Sequence, residues 1–354
     1  LALRVDGRDL LRMPVYVLAP QPRRPQGELK LSKVASVDLT QNLGPQELCE
    51  DGSSRVVDSP AGRYREAGAQ KGSRFVVRLT LRRPGLHLLR VRYPDDKART
   101  CEVVACSPNE SDLYNAQTGY LTGVTSPLSD RVETLDCVLW ARDLRQSVIF
   151  TTRETGRPAA AVSVEAYEVD GGLPSSPVAG APSARQIGLY WEDAAPLPWC
   201  VGAEGTGFEA FDRAICNLCE LMDYTGENVL FHPAVWYNGP IYESLVEESG
   251  TLGGRDMPGA GWMDILLRRF EERGLTFYPT LNVHELPSLM ATGNADVQRV
   301  QTGEPTFNAV TRDGRVTSRT WHNQPPAYNA LHPRVQERVL ALVQELADRY
   351  AASP

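Results

Sequence analysis

The sequence predicts an all-β first half and a parallel α/β second half joined by a linker. Three observations carry that prediction. Residues 74–82 alternate apolar and polar with period two, the pattern of a half-buried strand. Residues 170–184 (Asp-Gly-Gly-Leu-Pro-Ser-Ser-Pro-Val-Ala-Gly-Ala-Pro-Ser-Ala) have the composition of a linker. From residue 187 onward, short apolar runs alternate with longer runs of helical period, which implies a parallel sheet. The resulting organisation is a β-sandwich domain over 1–169, a linker over 170–185 and an α/β domain over 186–354.

Size and charge fit two domains. A chain of 354 residues exceeds the ~100–200 of one ordinary domain. With 42% hydrophobic and 23% charged residues it has a globular composition, and a formal net charge of −7 argues against a nucleic-acid partner. No apolar run approaches the ~18 residues that span a bilayer. The opening Leu-Ala-Leu-Arg-Val shows no signal-peptide pattern, so a secreted or periplasmic location with the leader missing is an expectation only. Seven cysteines cannot all pair within one chain. Cys216 and Cys219 share a helical run, where small core residues are the plainer reading than half a zinc site. Asn109-Glu110-Ser111 fits the glycosylation pattern of a secreted eukaryotic protein.

In chain order, the first forty residues are the least clear part of the first domain, and 21–27, rich in Pro and Arg, read as a loop or a second linker. Within 74–82, Phe75, Val77, Leu79 and Leu81 face one way, while Arg74, Arg78, Thr80 and Arg82 face the other. Pro84-Gly85 turns the chain, and Leu89, Val91 and Tyr93 continue the apolar face on a partner strand. Tyr93-Pro94-Asp95-Asp96 closes it with turn chemistry. Further strands are predicted at 100–105, 134–140, 146–152 and 161–169. Short strands at regular spacing indicate a jelly-roll-like sandwich.

The second half predicts strands at 187–193, 228–236 and 275–285. In the helix at 208–224, Phe208, Phe211, Ile215, Leu218, Cys219 and Met222 make one stripe, and Gly226 stops it. The helix at 261–273 buries Trp262, Ile265, Leu266 and Phe270. The helix at 333–350 starts on Pro333 and buries Val335, Val339, Leu342, Val343, Leu346 and Tyr350. The loop of about forty-five residues before it has the length of a functional one. Aromatic residues at the strand ends favour a barrel over a doubly wound sheet. Three βα units are too few to close eight strands.

Four segments resemble the opening units of glycosyl-hydrolase-like TIM barrels: Ile187-Gly-Leu-Tyr-Trp-Glu-Asp, Gly226-Glu-Asn-Val-Leu-Phe-His-Pro, Tyr278-Pro-Thr-Leu-Asn-Val-His-Glu and Leu331-His-Pro-Arg-Val-Gln-Glu-Arg-Val. Gly62-Arg-Tyr-Arg-Glu and Val91-Arg-Tyr-Pro-Asp-Asp are similar to β-sandwich modules fused to such barrels. The resemblance implies an incomplete (β/α)8 barrel, with the chain stopping at Pro354 where a fourth, acid-bearing strand would begin.

Glycoside hydrolysis uses a pair of carboxyl groups flanking the bond. Glu192, Asp193 and Glu285 are the carboxylates at predicted strand ends and the expected catalytic set, although each taken singly fits a loop cap or an ion pair. The expected sugar contacts are Trp191, His232, Trp236, Tyr237, Asn238, Tyr278, Asn282, His284 and Trp321. Aromatic planes suit the apolar faces of sugar rings, while Asn and His suit their hydroxyls. No metal or cofactor is expected. The first strand lacks His-x-His, and Ser288 stands where a His284-Glu285-x-x-His helix would need its second His. The run Gly202-Ala-Glu-Gly-Thr-Gly207 fits neither phosphate-loop spacing, and Glu204 would repel a phosphate. The expected protein is thus a glycoside hydrolase fragment with a carbohydrate ligand. The alternative is a non-catalytic glycan-binding or scaffold protein.

Overall fold

The computed structural model describes residues 2–5, 8–12, 17–107, 114–176, 185–191, 208–236, 239–248, 262–281, 286, 288–289, 308–313 and 328–350. The chain forms two compact units. One is built on Pro25–Pro174, the other on segments of Leu1–Arg24, Ser175–Ala195 and Gly205–Pro354.

In chain order, β1 (Ala2–Val5) and β2 (Arg8–Arg12) pair antiparallel. The β-unit then runs through β3 (Leu31–Asp38), β4 (Leu48–Glu50), β5 (Arg55–Ser59), β6 (Gly62–Glu66), β7 (Arg74–Thr80) and β8 (Gly85–Pro94). It continues with β9 (Arg99–Cys106), β10 (Tyr114–Thr122), β11 (Val132–Ala141), β12 (Arg145–Thr152), β13 (Ala160–Ala161) and β14 (Ser163–Val169). A five-stranded sheet has the order β10-β9-β12-β7-β4 and a four-stranded sheet the order β11-β8-β14-β3, while β13-β6-β5 makes a third. All these pairings are antiparallel.

The period-2 pattern explains the core. Phe75, Val77 and Leu79 of β7 join Val103 of β9 and Val148 and Phe150 of β12 in one buried cluster. Leu89 and Val91 of β8, Leu139 of β11 and Val164 of β14 complete it from the other sheet. Phe75 and Phe150 stack at 4.8 Å. Each such side chain contributes about 1.5–3 kcal/mol on leaving water. The predicted strands at 74–82, 100–105, 134–140, 146–152 and 161–169 are therefore present, trimmed or extended by a few residues.

The other unit holds β15 (Gly188–Tyr190), α1 (Phe208–Thr225), β16 (Val229–Trp236), β17 (Gly239–Pro240), α2 (Trp262–Arg273), β18 (Thr276–Leu281) and α3 (Pro333–Tyr350). β15, β16 and β18 are neighbours and parallel, with β16 in the middle; β17 pairs antiparallel with the end of β16. Gly226 (φ 85°) ends α1, its N–H donating to the Met222 carbonyl. α2 ends in a Schellman motif, with Leu275 N–H on Phe270 O and Gly274 N–H on Glu271 O, and Gly274 at φ 64°. α3 starts at Pro333 behind His332, whose Nδ1 accepts from Arg334 N–H. The expected barrel is not formed by the described residues. They hold three parallel strands and three helices, an open sheet, and closure takes eight strands.

Candidate functional site

One face of the parallel sheet is covered by helix and the other carries exposed rings. On the covered face, Leu230 and Phe277 are buried, and Phe277 meets Phe270 of α2 edge-on at 6.5 Å. His232 shares that face. It is 1% exposed, with the Trp262 ring of α2 edge-on at 6.4 Å. Its Nδ1 lies 2.9 Å from the Trp191 carbonyl. A carbonyl only accepts, so that nitrogen carries the proton. Burial pushes the imidazole down to about 4, against the hydrogen bond to Trp191, so it is neutral near pH 7. Trp191 N–H in turn donates to Phe231 O at 2.9 Å. These two bonds fix the carboxyl end of β15 to β16.

On the opposite face, Tyr190, Phe231 and Tyr278 occupy one register position on three adjacent strands. They are 61%, 37% and 39% exposed. Phe231 and Tyr278 stack at 5.2 Å, and Gln186 Nε2 donates to the Tyr278 hydroxyl at 3.2 Å. The Phe231 ring lies over Gly188, where a Cβ would come within 2.7 Å of it. A glycine is needed there for close approach rather than for its backbone angles.

Of the residues expected from sequence, the structure brings Trp191 and His232 together and sets Tyr278 in the exposed rank. Trp236 closes β16, paired with Gly239. Glu192, Asp193, Tyr237, Asn238, Asn282, His284, Glu285 and Trp321 lie outside the described residues, as do Asn109 and the Gly202–Gly207 run. Sequence reasoning missed Tyr190 and Phe231. The signal was present: Gly-Leu-Tyr (188–190), Val-Leu-Phe (229–231) and Thr-Phe-Tyr (276–278) place an aromatic third in each strand's matching triplet. Among the described residues no group of three or more His, Cys, Asp or Glu side chains could hold a metal ion. Nor is any described helix long and apolar enough to cross a membrane.

The two sandwich motifs meet inside the β-unit. Arg99, fully buried, donates to Glu66 (2.9 Å), Asp96 (2.8 Å), the Tyr64 hydroxyl (2.8 Å) and the Pro158 carbonyl (3.0 Å). Tyr64 donates to Asp96 at 2.7 Å, and Lys97 pairs with Glu66 at 2.6 Å. Burial, then the Asp96 contact, pushes the Tyr64 phenol up to about 12. The cluster ties β6, the β8–β9 turn and the Pro158 segment together; its carboxylates face cations of the same chain.

The fold class is thus a β-sandwich unit accompanied by a parallel α/β unit. No protein-family model matches the chain, and no curated protein matches it. Solved structures overlap part of it. A family 35 carbohydrate binding module from Clostridium thermocellum is 10% identical over 38% of this chain and 98% of its own, at a TM-score of 0.29. A carbohydrate binding module of the Cellvibrio mixtus lichenase 5A, solved with cellotriose, is 6% identical over 39% and 99%, at 0.29. For an exo-beta-1,3-galactanase from Phanerochaete chrysosporium, solved with galactose, identity is 12%, with 38% of this chain and 29% of that one covered, at 0.28. Likeness of this degree brings over neither a family nor a ligand.

Proposed function

We propose that the protein is carbohydrate-active and that its α/β unit takes a sugar chain against the Tyr190–Phe231–Tyr278 rank. The observation that carries this reading is that all three rings are exposed at one register position on neighbouring strands. Sugar rings present apolar C–H faces to aromatic carbon, and amide and hydroxyl groups beside the rings serve the sugar hydroxyls. Gln186 and the Tyr278 hydroxyl are groups of that kind. The strip is about 10 Å wide, two strand spacings.

The finer step is glycoside hydrolysis by Glu192, Asp193 and Glu285. Glu192 and Asp193 follow β15 and Glu285 follows β18, so in this reading the acid and base stand beyond the same end of the sheet. A second reading makes the unit the opening of a (β/α)8 barrel, with the rank on its inner face. It is favoured by the helix contacts of Phe277 and His232, both on the opposite side. A secreted or periplasmic setting goes with either.

Calorimetric titration with a panel of oligosaccharides tests the proposal. Tyr278→Ala and Phe231→Ala are expected to weaken binding by roughly 0.5–1.5 kcal/mol each, up to about tenfold. Glu285→Gln and Asp193→Asn are expected to bind normally and lose turnover. Unchanged affinity in both ring variants would end the proposal. Binding without turnover in the parent chain would select the non-catalytic alternative.

A further inference from the structure

The α/β unit contains a segment far from it in sequence. Residues 19–25 read Ala-Pro-Gln-Pro-Arg-Arg-Pro. Each proline fixes its own φ and holds the residue before it extended, and it brings no N–H that would need a partner. Such a segment leaves its carbonyls free of internal hydrogen bonds and loses little entropy on docking.

The carbonyls of Ala19 and Gln21, each just before a proline, are taken by buried arginines of α2. Arg269 Nη1 donates to Ala19 O at 2.6 Å, and Arg273 Nε donates to Gln21 O at 2.7 Å. Arg269 is also held fork-on by Asp212 of α1, at 2.6 and 2.8 Å. Arg273 pairs with Asp223, near the carboxyl end of α1. The segment answers with its own cations: Arg23 donates to Asp223 at 2.8 Å and to the Arg273 carbonyl, while Arg24 lies 3.1 Å from Glu220. Ser175 Oγ donates to Arg24 O at 2.6 Å, and Ser176 N–H donates to Asp223 O at 2.8 Å. Arg269, Arg273 and Asp223 are all buried, and buried charge is tolerated only when its hydrogen bonds are met.

We propose that residues 19–24 are a strap that locks the α1–α2 pair, so that the α/β unit is completed by chain lying before the β-unit. Asp223 is the keystone, shared between Arg23 of the strap and Arg273 of α2.

The test uses the full chain with a site-specific protease sequence inserted at Gly27, which is exposed and where an added Cβ would meet nothing within 4 Å. After cleavage under native conditions, gel filtration with mass detection is expected to find the N-terminal fragment still bound. Arg23→Ala, a change on the strap and partly exposed, is expected to speed its release about tenfold, the loss of one charge-assisted contact. A synthetic peptide of residues 17–26 in excess is expected to displace the fragment. Prompt release from the nicked parent chain, or equal retention with Arg23→Ala, would overturn the proposal. The second result would mean that the Arg23–Asp223 contact does not hold the segment. Neither outcome depends on sugar binding.

Discussion

His232 shows how one side chain links burial to pH. Its folded-state value near 4 lies below the ordinary 6.5 because burial disfavours the charged ring. Between those values the unfolded chain binds the extra proton and the folded chain does not, so stability rises with pH across the window. The contribution is complete above about 6.5 and is lost as pH falls to about 4, roughly 3 kcal/mol in all. Urea unfolding at pH 4.5 and 7.5 is expected to show that loss, and His232→Gln is expected to flatten it. An equal slope in both proteins would remove His232 as the source. The residue scale is also where sequence is least legible. Phe-His-Pro inside an apolar run marks a strand, but which face the ring takes follows from Trp191 and Trp262, 41 and 30 positions away. The same limit hid the rank, since Tyr190 and Phe231 gain their meaning only from cross-strand register.

Elements whose pattern is local were legible. α1, α2 and α3 follow helical stripes, although of the face expected in α3 only Val335, Leu342 and Leu346 are buried and Val343 is exposed; they end or start on Gly226, Gly274 and Pro333, residues whose backbone chemistry is independent of the rest of the fold. β7, β9 and β12 alternate because one face is core. β6 was not legible: Arg65 and Glu66 are buried charges, bonded to Ser54 and Gln41 and to Arg99 respectively, and they break the apolar pattern. β10, with Asn115-Ala-Gln-Thr-Gly119, carries little alternation at all. Gly119 is there because a Cβ would lie 2.3 Å from the Cys101 carbonyl oxygen. A test at this scale uses Gly274, which sits at φ 64° with nothing within 4 Å of an added Cβ. Gly274→Ala then isolates the conformational penalty, and a loss of about 1 kcal/mol in urea unfolding is expected, less for Gly274→Asn. No loss with Ala would mean that the α2 end relaxes out of the motif.

At the scale of the whole chain, the path is what sequence could not supply. The Pro- and Arg-rich stretch at 21–27 was legible as a loop or second linker, and its composition gives nothing further. That Arg23 reaches Asp223, 200 positions later, is a tertiary fact. The path makes the β-unit an insertion, entered after Arg24 and left before Ser175. Its core draws on β3, β7, β8, β9, β11, β12 and β14, all within 25–174, and the partners of its buried Arg99, which are Tyr64, Glu66, Asp96 and Pro158, come from the same span. A fragment of residues 25–174 is therefore expected to fold alone, at about 150 residues an ordinary domain size, with one cooperative urea transition. A fragment of residues 175–354 starts without the strap. It would leave Arg269 and Arg273 short of the Ala19 and Gln21 carbonyls and Asp223 short of Arg23, each loss about 1–3 kcal/mol for a buried charged group. It is expected to be unfolded or far less protected in amide exchange than the same residues in the full chain. Equal protection of α1 and α2 in both would show that the segment before the β-unit adds nothing. A 25–174 fragment that stays unfolded would show that the insertion needs its host.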